Sequence, residues 1–165
     1  ESFDEPALVM ENNVIGTINL FEALRMQAWR PVVVLCSTSE VYGEATHSPI
    51  GEDWPIRPFQ NPYAISKAAQ EMVAQHYAIT YGIPIVITRA FGYINPRRAG
   101  LSLTSFARQI AEVEAGKREK LLHGNLESIR TFCDVRDAVR AYAMAAHLGH
   151  GTYNLGSEEG ISVGQ

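Results

Sequence analysis

The chain has 165 residues, 46% of them apolar and 19% charged. That is enough to bury a core, without the composition of a disordered chain. Fourteen basic against 18 acidic side chains leave a formal net charge of −4, which argues against a general grip on nucleic acid phosphates. No apolar run approaches the ~20 residues of a membrane span. The segment from Glu1 to Pro6 has neither the basic start nor the apolar stretch of a signal peptide. The two cysteines, Cys36 and Cys133, each sit in an apolar stretch. This predicts core thiols and a reducing, cytoplasmic setting rather than a disulfide framework.

Residues 6–28 read as a helix. Val9, Ile15, Ile18, Leu20, Phe21 and Leu24 recur near helical spacing, and Pro6 suits a first turn. Val32 to Cys36 is a continuous apolar run, the pattern of a strand buried on both faces. Residues 43–60 contain Pro49, Gly51, Pro55 and Pro58 and predict a long loop, a frequent place for function. Asn61-Pro62 starts a second helix, which Gly82 ends. Ile85 to Arg89 is another buried strand, and residues 92–100 a loop. Ser102 or Thr104 caps a helix ending at Gly116, Asp134 caps one reaching Leu148, and Thr152 to Leu155 is a short strand. Strands alternating with helices predict a parallel α/β sheet. Trp29 and Trp54 read as packing residues, and the five histidines show no metal-ligand spacing.

Tyr63 and Lys67 carry the chemistry. Four residues apart, they share one helix face. An ammonium near a phenol favours the phenolate, and a phenol that gains and loses a proton is a general acid/base. Alone the pair is common. Thr38, Ser39 and Glu40 give it context, because they follow the strand ending near Cys36. Ligands of open α/β sheets bind beyond the carboxyl ends of the strands.

The stretch from Cys36 to Gly43, followed by Asn61-Pro62-Tyr63-Ala64-Ile65-Ser66-Lys67, resembles the extended short-chain dehydrogenase/reductase superfamily. Within it the chain is most similar to the GDP-mannose 4,6-dehydratases and the related GDP-4-keto-6-deoxymannose reductases. Asn12 to Thr17, Ser105 to Ile110 and Gly124 to Glu127 extend the likeness over the whole chain.

The resemblance implies a Rossmann-like doubly wound parallel sheet with part of a smaller substrate-binding region. Residues 1–92 would belong to the dinucleotide-binding domain and 93–165 mainly to the substrate region. It implies NADP as cofactor, with NAD as the alternative, a nucleotide-sugar substrate and a homodimer or homotetramer built on helices 6–28 and 62–81. Tyr63 would act on the sugar 4-hydroxyl. Lys67 would support Tyr63 and hold the nicotinamide ribose. Thr38 would bond the same sugar oxygen, and Glu40 would remove the C5 proton. Asn13, Ser37, Tyr93 and Arg98 are implied on the cofactor side, Ser39 and Arg130 on the substrate side.

Three positions depart from the family pattern. Phe91-Gly92-Tyr93 stands where the family usually has Phe-Asn-His, and Thr131 where an aspartate follows the arginine. The Gly-x-x-Gly-x-x-Gly loop that opens a Rossmann sheet does not occur in the sequence. The resemblance therefore implies the catalytic middle of a larger enzyme, with about two earlier βαβ units and no grip of its own on the cofactor pyrophosphate. Other expectations are the reductase activity, another nucleotide-sugar epimerase or dehydratase, and a non-catalytic remnant of the fold.

Overall fold

The computed structural model describes residues 2–27, 29–46, 48–97 and 102–165, with the Ser102 side chain left aside. The chain forms two compact units, residues 1–91 with 139–155 and residues 92–138 with 156–165.

The first unit opens on a helical stretch whose regularity changes midway. Helix α1 (Pro6–Met10) passes into a wider π-helical turn (Glu11–Ile15) and then into α2 (Gly16–Arg25). The helix thus ends at Arg25 rather than at 28, and it buries only Thr17 and Phe21. Strand β1 (Val33–Thr38) follows, then a 3-10 turn (Ser39–Tyr42). Helix α3 (Pro62–Tyr81) starts and stops as expected. The Asn61 side chain accepts the Ala64 N–H at 2.7 Å, and Gly82 closes the helix at φ 65°, a left-handed conformation suited to glycine. β2 (Ile85–Ala90) and β6 (Gly151–Leu155) complete a parallel sheet of order β1-β2-β6, with Cys36 level with Thr88 and Thr88 with Tyr153.

Phe21, Leu35, Ala74, Tyr77, Ile83, Ile85 and Ile87 form the main core. Successive strand residues face opposite sides. Leu35 packs in this core and Ser37 reaches α3, so Cys36 points the other way and is exposed. The expectation of a core Cys36 and of a strand buried on both faces fails for this reason at β1. It holds at β2, where Ile85 to Arg89 are all buried. Trp29 is also not a packing residue, being 71% exposed. Trp54 does pack, against the cluster of Val41, Tyr42 and Ala68.

The second unit contains β3 (Tyr93–Ile94) parallel to β5 (Cys133–Asp134), and β4 (Ile129–Thr131) antiparallel to β7 (Gly160–Ser162). These strands are too short for a period-two pattern to announce them. Helix α4 (Ser102–Glu114) stops two residues before Gly116. The Asp134 carboxylate accepts the Arg136 N–H at 2.8 Å at the start of α5 (Val135–Leu148), whose residues from Val139 on belong to the first unit. Gly92 has a packing reason within this unit: a Cβ there would lie 2.5 Å from the Thr131 carbonyl oxygen. Among the described residues no helix is long and apolar enough to cross a membrane.

Candidate active site

The end of β1 and the start of α3 meet through Glu40 on Asn61 and through Lys67 on the Cys36 carbonyl. Thr38 is the last residue of β1 and caps the 3-10 turn, its hydroxyl accepting the Glu40 N–H at 3.3 Å. Glu40 is exposed, and its Oε2 accepts a bond of 2.7 Å from the Asn61 amide. Asn61 is the cap of the helix that carries Tyr63 and Lys67. Ser39 is half-buried in the same turn.

Lys67 is anchored from two sides. Its Nζ donates to the Cys36 carbonyl and to Gln70 Oε1, both at 2.9 Å, and lies 5.9 Å from the Tyr63 ring centroid. Burial pushes the ammonium below its ordinary value of 10.5, with Cys36 acting weakly in the other direction. Gln70 is itself held: its amide donates to the Thr17 hydroxyl, which donates to the Asn13 carbonyl at 2.6 Å. Asn13 lies in the π-helical turn and donates to Ser66 Oγ at 2.9 Å. The Ser66 hydroxyl in turn donates to the Tyr63 carbonyl at 2.7 Å. The wider turn thus ties the first helical stretch to the backbone of Tyr63.

Ser37, expected on the cofactor side, turns its side chain toward α3. It is buried, and its hydroxyl donates to Glu71. The physical cause is the strand alternation that aims Leu35 and Ser37 at α3. Its side chain belongs to a buried network under the site. Arg89 Nη2 meets Glu71 Oε2 at 2.8 Å, with side chains 5% and 0% exposed. Arg89 Nη1 donates to the Tyr42 hydroxyl and to the Glu52 carbonyl, both at 2.9 Å. Tyr42 donates to Asn154 Oδ1 at 2.7 Å, and the Asn154 amide donates to the Ile50 carbonyl at 2.7 Å. Burial opposes the Arg89 charge, and the bonds to Glu71 and Tyr42 outweigh it, holding the guanidinium above its ordinary value. The network fastens the long loop over 43–60 to the sheet.

Sequence reasoning missed Glu71, Arg89, Gln70 and Thr17. Two signals were present. Arg89 closes an apolar run, and a buried cation needs a partner. Gln70 and Glu71 stand three and four residues after Lys67, the spacings that share a helix face.

In the second unit Tyr93 is half-buried on β3. Arg130 is exposed on β4, and its guanidinium donates to the Ile129 carbonyl at 2.8 Å. Arg98 lies outside the described residues. Among the described residues no cluster of His, Cys, Asp and Glu is arranged to hold a metal.

The chain resembles known proteins along its whole length. It is 34% identical to GDP-6-deoxy-D-mannose reductase of Pseudomonas aeruginosa, over 98% of the chain and 55% of that protein. It is 30% identical to GDP-mannose 4,6-dehydratase of Yersinia enterocolitica, over 84% of the chain and 38% of that protein. The structure of RMD from Pseudomonas aeruginosa complexed with NADPH superposes with a TM-score of 0.92 at 32% identity, covering 99% of the chain and 57% of that structure. The chain spans about half the length of the first of these relatives and less of the second. The fold is therefore part of a Rossmann-type sheet of the extended short-chain dehydrogenase/reductase kind. A family model described as GDP-mannose 4,6 dehydratase matches residues 1–165, and the chain belongs to that family of nucleotide-sugar dehydratases, reductases and epimerases.

Proposed function

We propose that this chain carries the acid/base machinery of an NADP-dependent nucleotide-sugar 4,6-dehydratase acting on GDP-mannose. The observation that supports it most is the hold of Asn61 on Glu40, which places a carboxylate beside the start of the Tyr63–Lys67 helix.

The donors present fit a nicotinamide nucleotide. An ammonium has three protons, and the Cys36 carbonyl and Gln70 Oε1 take two of those of Lys67. The third is left for a ribose hydroxyl. Asn13 braces the helix from the same side through Ser66. Bound NADP supplies the acceptor for the C4 hydride and the donor that returns it at C6.

In this reading Tyr63 takes the proton of the sugar 4-hydroxyl while Thr38 bonds the same oxygen. Lys67 stabilises the charge on Tyr63. The C4 ketone acidifies C5–H, and Glu40 removes that proton. The C6 hydroxyl leaves as water, taking the proton that Glu40 gained. The proton held by Tyr63 closes the balance when C5 is reprotonated. Arg130, an exposed cation of the second unit, is assigned to a phosphate of the nucleotide.

The test is to give the protein carrying this chain GDP-mannose and NADP without a reductant. Formation of a 4-keto sugar supports the reading. No ketone from GDP-mannose, with NADPH-dependent consumption of the 4-keto-6-deoxy sugar, contradicts it. That second outcome is the reductase reading, favoured by the 34% identity to the Pseudomonas reductase. The two readings share Tyr63, Lys67 and Thr38 and differ in Glu40.

We further assign self-association to the outer face of the first helical stretch and α3. Leu8, Ile15, Met72 and Ile79 are exposed there, beside a groove that includes Ile18 and His76. A second copy of the same helices is the occupant proposed. Sedimentation at the mass of a dimer or tetramer supports this, and a monomer contradicts it.

A further inference from the structure

Three neighbours restrain Glu40, and each grips a different group. Thr38 Oγ1 accepts its N–H at 3.3 Å. The Gln60 amide donates to its carbonyl, and the Asn61 amide to its Oε2 at 2.7 Å. An exposed glutamate otherwise samples several rotamers, whereas a general base must stay within hydrogen-bond reach of the proton it takes.

Asn61 is the informative member. Its Oδ1 accepts the Ala64 N–H and starts helix α3. Its Nδ2 holds Glu40. Starting the helix requires only the first contact, and aspartate caps about as well. Aspartate, however, has no donor. The demand for a cap therefore leaves the amide nitrogen unexplained. Its use is to tie the aim of Glu40 to the first turn of the helix, where Tyr63 stands two residues on.

We propose that Asn61 is a positioning residue for the proton transfer at C5: one amide sets both the start of the Tyr63 helix and the direction of the Glu40 carboxylate. The inference rests on the reading of Glu40 as the base.

The experiment compares Asn61→Asp with Glu40→Gln in the protein carrying this chain. It follows exchange of the sugar C5 proton with heavy water, the KM for the nucleotide-sugar and the thermal midpoint. Asn61→Asp keeps the cap and removes the donor. The expected result is an unchanged midpoint, an unchanged KM and C5 exchange slower by about tenfold to 100-fold, the scale of an ångström-sized misplacement. Exchange at the wild-type rate in Glu40→Gln overturns the base reading and this inference with it. Exchange lost in Glu40→Gln but unaltered in Asn61→Asp leaves the base reading standing and overturns the inference. Should Asn61→Asp lower the midpoint, Asn61→Ser, which keeps a cap oxygen and loses the amide, is measured against the same outcomes. Without substrate, the side-chain amide resonance of Asn61 shifts in Glu40→Ala if the contact exists in solution. A resonance that does not move also overturns the inference.

Discussion

Lys67 and Glu71 stand one turn apart on helix α3, and their surroundings treat them in opposite ways. Glu71 is fully buried, and its carboxylate is occupied by Ser37 and by the Arg89 guanidinium. Lys67 is held by two neutral oxygens, from Cys36 and Gln70, and its charge has been made less comfortable by burial. A buried carboxylate with both oxygens hydrogen-bonded fixes a structure. A cation with a proton left over and a displaced titration is poised to act. In the proposed function, the helix thus separates the group that holds the sheet end in place from the group that works there.

The comparison breaks most visibly at Arg89. Arg89→Met leaves the Glu71 charge buried without its counterion and is expected to cost about 3–5 kcal/mol of stability. Chemical denaturation measures it. The double change Glu71→Leu with Arg89→Met recovers part of that loss, because no buried charge remains. Ser37 and Tyr42 still lose a partner, so recovery is incomplete.

Lys67→Met should do the reverse. It is expected to lower kcat on the order of 10²-fold while costing about 1 kcal/mol or less in stability. Two hydrogen bonds are lost, but so is a desolvated charge. Parallel turnover and unfolding measurements separate the two effects. A large stability loss with normal turnover would reverse the roles assigned to the two residues.

The far end of α3 sharpens the contrast between site and scaffold. Gly82 adopts φ 65°, with open space where a Cβ would lie. Gly82→Ala is therefore expected to cost about 1 kcal/mol from backbone strain alone, with turnover unchanged at a temperature where the variant is folded.

The smallest effect is a pH dependence far from the site. The hydrogen bond from Arg25, and then that from Tyr77, draws the Glu22 carboxyl down from 4.5 to about 2. A depressed carboxylate stabilises the fold above its unfolded value, and that contribution fades as pH falls through the folded one. The window is therefore from about 4.5 down to about 2. Acid titration of the wild type against Glu22→Gln should show a difference confined to that window, because the glutamine does not titrate.

How much of this was legible follows from how local each signal is. Both ends of α3 were readable, since Asn61-Pro62 and Gly82 act through their own backbone neighbours. The i, i+4 spacing of Tyr63 and Lys67 is common by itself and singled them out only beside Thr38, Ser39 and Glu40. The Glu71–Arg89 pair joins a helix to a strand through tertiary packing, which no local pattern announces. Arg89 within an apolar run demanded a partner without saying which. The π-helical turn at Glu11–Ile15 left no mark in the apolar spacing, although it sets Asn13 against Ser66. Cys36 was misread because its apolar run resembles that of β2, while only one face of β1 meets the core.

The central claim is that Tyr63 moves the proton at the sugar 4-oxygen, and it is tested most directly by Tyr63→Phe. The substitution removes one hydroxyl and keeps the ring beside Lys67. Turnover of the nucleotide-sugar by the protein carrying this chain should fall by about 10²–10⁴-fold, with the thermal midpoint near that of the wild type. Turnover at the wild-type rate would contradict the account.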